Sequence, residues 1–450
     1  MEMTDSQHLA TAARADADWL AAHWMPYTGN RDFKANPRLF TAAQGAYLTM
    51  ADGRKVYDSL SSLWCTGLGH GRPELVEAIA RQVATLDYSP AFQFGHPLSF
   101  ELANRIVARM PQGLNRVFFT GSGSETADTS LKMARAYWRL KGQASKTRFI
   151  GRIKGYHGVN FAGFSVGGLV ANRKMFGQGI EADHLPHTQP PNGSFFRGMP
   201  PTGRELADEL LTLIGLHDAS TIAAVIVEPF SGSGGVVVPP EGYLQRLREI
   251  CTAHDILLIF DEVITGFGRC GAWTGAEAFG VAPDLLNFAK QVTNGVQPLG
   301  GVVARQEIYD TFMAAGGPPY MLEFAHGYTY SAHPVACAAG LATLDLLERE
   351  DAPGRVRELM PHFEEAVHSL RGAKHVGDIR NFGLAAGITV LPRPGEPAVR
   401  PYELAMAMLD KGFYVRYSGD AVALAPPFIT TREEIDSVVN ALGETLDSIA

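Results

Sequence analysis

The feature that most constrains this chain is a strand, helix, strand pattern near its middle. Ile222-Ala-Ala-Val-Ile-Val-Glu228 is an unbroken apolar run ending in an acid, the amphipathic stretch Gly242 to Ala253 follows, and Ile256-Leu-Leu-Ile-Phe-Asp-Glu262 is a second such run. An apolar run without polar alternation reads as a strand buried on both faces. Two such strands joined through a helix make a parallel βαβ unit, because a hairpin cannot connect parallel neighbours. Further strand patterns at Arg116 to Phe119, Arg148 to Arg152, Leu285 to Phe288 and Gly301 to Ala304 extend this unit into a large, mostly parallel sheet, and the class is α/β. Sheets of this kind bind ligands at the C-terminal ends of their strands.

The two ends of the chain read differently. The first part mixes loops with short strands such as Gly45 to Thr49, and the last part alternates helices with short strands. This predicts a smaller α/β domain built from both ends, residues 1–75 and 335–450, around a large domain at 76–334. A helix over Tyr402 to Asp410, stopped by Lys411-Gly412, leads into one strand, Phe413 to Tyr417, whose alternation sets Tyr414 and Arg416 opposite Val415.

Composition excludes several functions. The 450 residues carry 39 basic and 47 acidic side chains, a net charge of −8, with no like-charge block, which argues against nucleic acid and anionic membrane as partners. Cys65, Cys251, Cys270 and Cys337 show neither CxxC nor metal-ligand spacing, so reduced thiols and no metal site are expected. Glu2, Asp5, Asp16 and Asp18 interrupt the first thirty residues, unlike an export signal, and a cytoplasmic protein is expected. The longest apolar stretches, such as Val335 to Leu344, fall short of the roughly 18 residues that cross a bilayer.

Four local patterns carry candidate chemistry. Thr120-Gly-Ser-Gly-Ser-Glu-Thr126 follows a strand and opens a helix with apolar positions Ala127, Leu131, Ala134 and Trp138. Free amides, the helix dipole and serine hydroxyls suit a phosphate there, although the loop reads equally as an ordinary serine N-cap. Asp261 ends the second buried run at the ligand-binding edge, where it is either a ligand-facing carboxylate or a cap for the Gly266-Phe-Gly268 loop. Lys290 directly follows Leu285-Leu-Asn-Phe-Ala289. It is a surface lysine or, if partly buried, an amine with lowered pKa that can form a Schiff base. Tyr156-His157 follows another strand and offers a flat ring at the same edge, though such a pair more often fills a loop. Together a phosphate cradle, a flat ring, a strand-end aspartate and a strand-end lysine are the parts that hold pyridoxal 5′-phosphate. An anionic aspartate keeps its pyridine nitrogen protonated, so the ring accepts electron density when an adjacent C–H bond loses its proton.

With these motifs in hand, the chain resembles the class III, fold type I pyridoxal-phosphate aminotransferases, in particular the ω-amino acid:pyruvate (β-alanine:pyruvate) transaminase group. The resemblance spans almost the whole chain and is most specific at Ser61 to His70, Ile256 to Arg269, Asp284 to Lys290 and His326 to Pro334. It implies Lys290 as the Schiff-base lysine, Asp261 on the pyridinium nitrogen, and Tyr156 and Val263 on either face of the ring, with His157 beside Tyr156. It further implies Ser122, Gly123 and Ser124 on the phosphate, joined by Thr329 of a neighbouring subunit, and Glu228 in the loop network near the cofactor. Shared sites of that kind imply a homodimer, alone or paired into a tetramer. Trp24, Trp64 and Phe92 are implied as apolar pocket walls and Arg416 as the guanidinium that receives a carboxylate.

The sequence departs from the group's pattern at Gly121 in place of asparagine, Gln291 in place of glycine, and Ala423 where a glutamine often stands near the carboxylate-binding arginine. The implied reaction passes an amino group from an ω-amino acid or primary amine to pyruvate, giving an aldehyde or ketone (3-oxopropanoate from β-alanine) and L-alanine. Cofactor motifs leave open another class III enzyme, such as a 4-aminobutyrate, diamine or decarboxylating transaminase. From a different class, a non-catalytic phosphate-ligand binding protein also uses a Gly-Ser loop.

Overall fold

A computed structural model describes residues 17–396 and 398–450. Glu2, Asp5 and Asp16, on which the expectation about an export signal rests, lie outside them. Strands β1 (Phe40–Gln44), β2 (Tyr47–Met50) and β3 (Lys55–Asp58) form an antiparallel meander. The central sheet contains β4 (Leu114–Thr120), β5 (Arg148–Arg152), β6 (Ala182–Leu185), β7 (Ile222–Val227), β8 (Leu257–Asp261), β9 (Leu285–Phe288) and β10 (Gly300–Arg305), in the order β4-β10-β9-β8-β7-β5-β6. A third sheet, in the order β11-β12-β15-β14, uses β11 (Val376–Asn381), β12 (Ala386–Val390), β14 (Arg416–Ser418) and β15 (Ala421–Leu424), while β13 (Phe413–Tyr414) pairs parallel with β3.

The central sheet is parallel except for β10, which runs antiparallel to both β4 and β9. One reversed strand between two others leaves β4 pointing the same way as the rest. The C-terminal ends of β4, β5, β7, β8 and β9 therefore open on one edge, and the residues that follow them are neighbours there. Both faces are covered. Ala224 and Ile226 of β7 belong to the core that contains Leu131, Ala134 and Trp138 of the helix Gly123–Leu140, and Val225 and Val227 belong to the core that contains Leu244, Leu247 and Ile250 of the helix Tyr243–Ala253. The side-chain period of two splits one continuous apolar run between two cores, which is why the run shows no polar alternation. The indole of Trp138 donates to the Ala223 carbonyl at 2.8 Å, so the largest side chain on the helix buries no unpaired donor.

Two strand expectations need correction. The strand expected at Gly45 to Thr49 begins two residues later: the chain turns through Gly45 (φ +59°) and Ala46, and β2 (Tyr47–Met50) folds back on β1 with Gln44 opposite Tyr47. A glycine that adopts positive φ makes a turn where alternation alone would continue a strand. Phe413 to Tyr417 is two strands in two sheets, divided at the buried Val415. Tyr414 pairs with Asp58 of the first sheet and Arg416 with Ala423 of the third. Among the described residues no helix is long and apolar enough to cross a membrane.

Candidate active site

Asp261 is the last residue of β8 and is buried. Its Oδ2 lies 2.8 Å from His157 Nδ1, and its Oδ1 accepts from the Val263 amide at 3.2 Å. It therefore closes a short turn onto Val263 and a bond to His157, and does not cap the Gly266–Gly268 loop. His157 is buried too, and its Nε2 has no partner among the described residues. A buried ring nitrogen left open is a costly group, and it is one of those that a bound molecule or water normally satisfies.

Glu228 follows β7 and is buried. One carboxyl oxygen accepts from the Tyr156 amide and the other from the Gly232 amide, both at 3.0 Å. Burial pushes its pKa up to about 7, with Asp261 adding to the rise and His157 opposing it. Tyr156 is half-buried, and burial pushes its phenol up to about 12, with a hydrogen bond that it donates to Tyr27 adding to the effect.

Lys290 begins the turn after β9 with φ +51°, a left-handed conformation unusual for a lysine. Burial lowers its amine pKa, and nearby Arg416 lowers it further, while Cys65, Asp261 and Glu228 pull the other way. The amine therefore loses its proton more readily than a solvated lysine and can act as nucleophile or base.

The loop after β4 reaches the same edge. A Cβ built on Gly123 would lie 3.1 Å and 3.2 Å from the Val263 methyls and 3.7 Å from Ala289 Cβ, so the phosphate-loop glycine touches the residues that follow Asp261 and precede Lys290. Gly123 and Ser124 open the helix, where no preceding turn can accept from their amides. The N-cap reading holds for Ser122. Ser122 Oγ accepts from the Glu125 amide at 3.2 Å as an N-cap, and the Glu125 carboxylate accepts from the Gly121 amide at 2.6 Å. Ser124 Oγ accepts from the Val159 amide at 3.2 Å.

Arg416 opens β14 directly opposite Ala423, with the Tyr414 hydroxyl within hydrogen-bonding reach of its guanidinium. The glutamine-to-alanine departure is thus at its cross-strand partner. Trp64 is only 4% exposed, and the Arg269 guanidinium stands 5.9 Å from its ring. Three expected residues are not drawn into this cluster within one chain. Trp24 is 88% exposed, Phe92 is exposed and packs over Gly327, and Thr329 is exposed with its carbonyl accepting from Tyr88 at 3.1 Å. The Thr329 loop itself lies along the helix Gly123–Leu140, where Tyr328 donates to the Glu125 carbonyl at 3.2 Å.

Tyr27, Cys65 and Asn294 also belong to this region, and motif reading passes over them. Tyr27 bonds Asn172 at 3.1 Å and lies against Tyr156, whereas Asn294 bonds the Gly67–Gly69 loop. Only Asn294 carries a local signal, its place in the Gly-rich segment after Lys290.

The family model "Aminotransferase class-III" matches residues 28–446. This chain belongs to the class III aminotransferases. It is 63% identical to the β-alanine–pyruvate aminotransferase of Pseudomonas aeruginosa, covering 96% of each chain. To the ω-amino acid–pyruvate aminotransferase of Pseudomonas putida it is 59% identical, covering 98% of each. A crystal structure of an amine transaminase from an uncultivated Pseudomonas species, in its PLP-bound internal aldimine form, superposes with a TM-score of 0.87 at 36% identity, covering 95% of this chain and 98% of that one. The cofactor of this aminotransferase is pyridoxal 5′-phosphate. The donor set suits it: helix-end amides and hydroxyls for a phosphate, a buried carboxylate for a pyridinium, and an amine of lowered pKa for an aldehyde.

Proposed function

We propose that this aminotransferase moves the amino group of an ω-amino acid or primary amine, β-alanine-like, onto pyruvate, releasing an aldehyde or ketone and L-alanine. The observation that carries the chemistry is the meeting of Lys290, Asp261 and the Gly123 loop at one sheet edge. The identity of the relatives supports the substrate class.

Bound at this edge, pyridoxal phosphate would supply an aldehyde carbon and an electron-withdrawing ring. Ser122, Gly123 and Ser124 hold its phosphate through hydroxyls and first-turn amides. Asp261, fixed by His157 and the Val263 amide, holds a proton on the pyridine nitrogen. Tyr156 and Val263 flank the ring, and Glu228 fixes the Tyr156 backbone. The Lys290 amine takes the proton from the substrate carbon, a task its lowered pKa suits. Arg416 receives the pyruvate carboxylate with a bidentate fork, and Trp24, Trp64 and Phe92 line the apolar side.

The same reading makes the enzyme a cytoplasmic homodimer, with Thr329 completing the phosphate site of the partner subunit. Exposed Phe92, Phe94, Phe100, Tyr320, Leu322 and Tyr330 support it, as large apolar side chains left on the surface in such number suit an interface. Residues 76–334 serve as the cofactor-binding domain, with 1–75 and 335–450 as the small domain. The pairing of β13 with β3 supports joining the two ends. A screen of β-alanine, 4-aminobutyrate, putrescine and 1-phenylethylamine against pyruvate, following alanine, tests the function. Alanine from these donors is expected, and reaction with α-amino acids alone defeats the reading.

A further inference from the structure

Ser61, Ser62, Leu63 and Trp64 all have positive φ, at 48°, 42°, 67° and 70°. In each the Cβ crowds the next carbonyl, so a run of four non-glycine residues in this conformation persists only where its surroundings hold it. The hold comes from three sides. Asp58, fully buried at the end of β3, accepts from the Ser62 amide at 2.9 Å and from Ser62 Oγ at 2.7 Å, and its Oδ2 lies 2.9 Å from His70 Nε2. Ser61 Oγ donates to the Ala425 carbonyl at 2.8 Å and accepts from the Arg269 guanidinium at 2.9 Å. Just downstream, the Gly67 amide donates to Gln291 Oε1 at 2.6 Å and the Leu68 amide to Asn294 Oδ1 at 2.9 Å.

The last two contacts lie on the turn that Lys290 begins. Gly295, whose amide donates to the Lys290 carbonyl at 3.3 Å, sits so close to Cys65 that an added Cβ would come within 2.9 Å of the cysteine Cβ. The wound turn therefore sets Cys65 beside the lysine, with Trp64 as the residue just before it. We propose that Asp58 and Ser62 form a latch that keeps this left-handed turn wound and so sets which amine donors the site accepts; this rests on the reading of Lys290 and Trp64 given above. Glycine in place of Ser62 would enter the turn freely and leave it as freely. Either residue offers its amide to Asp58, but serine accepts a disfavoured φ and adds a hydroxyl bond to the buried carboxylate, which exchanges freedom for a fixed indole. A fixed wall discriminates donors by size, and a wall that can swing away does not. Asp58 and Ser62 are positioning residues that act through Trp64.

Cys65 provides a readout independent of turnover. It is half-buried, whereas Cys251, Cys270 and Cys337 are buried and serve as internal controls. The holoenzyme, Ser62→Ala, Asp58→Asn and the double variant are treated with iodoacetamide, and labelling of each cysteine is followed by mass spectrometry. In parallel, kcat/KM is measured for 1-phenylethylamine and for β-alanine. Each single variant is expected to label Cys65 about tenfold faster, the scale on which losing a hydrogen bond to a charged acceptor acts. The double variant labels no faster than the faster single, because both remove one interaction. The kcat/KM ratio moves toward the bulkier donor. Unchanged labelling in Ser62→Ala overturns the proposal even if Asp58→Asn fails to fold. Labelling gains that multiply in the double variant, or faster labelling with an unchanged donor ratio, overturn it too. A parent enzyme that aminates pyruvate from neither donor defeats the substrate reading, while the labelling still decides the latch.

Discussion

Replacing Glu228 by glutamine removes a buried acid whose pKa stands near 7 against an ordinary value of 4.5. Below pH 4.5 the carboxyl is neutral in both folded and unfolded chains. As pH rises the unfolded chain ionises first, so stability present below 4.5 is lost progressively until pH passes 7. At about 1.4 kcal/mol per tenfold change in acidity, the total loss is about 3 kcal/mol. Glutamine cannot ionise and escapes that loss. Its Nε2 must however face one of the two amides, of Tyr156 or Gly232, that Glu228 accepts from. An unpaired buried donor costs about 1–3 kcal/mol at every pH. Against a penalty of about 2 kcal/mol, Glu228→Gln is therefore less stable than the parent by about 1 kcal/mol at pH 5 and more stable by about 1 kcal/mol at pH 8.5, a swing of about 2.5 kcal/mol. Unfolding entropy of about 2.1 cal/mol/K per residue makes 1 kcal/mol worth about 1 °C in a chain of this length. Calorimetry of both holoenzymes from pH 5 to 8.5 should show the variant's Tm starting below the parent's and ending above it, a swing of about 2.5 °C, with His157, Asp261 and Arg152 facing the site unchanged in both. A difference that stays constant across this range, or widens with pH, refutes an elevated Glu228.

Lys290→Ala should fold with an unchanged Tm yet show no turnover, and borohydride should trap a lysine-linked chromophore in the parent only; a variant that still transaminates ends the assignment. Arg416→Ala should raise KM for pyruvate about tenfold to a hundredfold, the loss of a charge-assisted pair. The half-reaction with 1-phenylethylamine should stay near the parent's, and equal damage to both would remove Arg416 from carboxylate binding. Gly123→Val adds methyls where a Cβ already meets Val263 at 3.1 Å, so cofactor affinity measured by absorbance titration should fall at least about tenfold.

How far the fold could be read in advance depended on where each strand's partners lie. Leu285–Phe288 and Arg148–Arg152 are found where their patterns end, and the β7 run lacks only its terminal Glu228, since burial on both faces gives a continuous apolar signal. The stretch 413–417 shows the opposite case. Five alternating residues cannot reveal that Tyr414 and Arg416 pair with segments some 350 residues upstream and a few residues downstream, respectively. Asp261, Lys290 and Gly123 were legible because each sits at a strand end or within three residues of one, and the edge of a parallel sheet turns sequence position into spatial neighbourhood. Cys65 and Tyr27 were not, because they reach the region through segments that carry no periodicity, and Asp58 was not, because it ends a short strand of the separate first sheet. Trp24 and Phe92 remain exposed in a single chain, so their grouping depends on what covers them.

The reversed course of β10 has a consequence for engineering. After Lys290 the chain must come back within ten residues to lie between β4 and β9, with Gly300 opposite Thr120 and Gly301 opposite Phe288. Inserting or deleting one residue in this return would slide the whole ladder and invert every side chain along it. Libraries meant to retune this enzyme can vary length at the exposed rim around Trp24 and Phe92, but the short link from Lys290 to Leu299 admits no change of length.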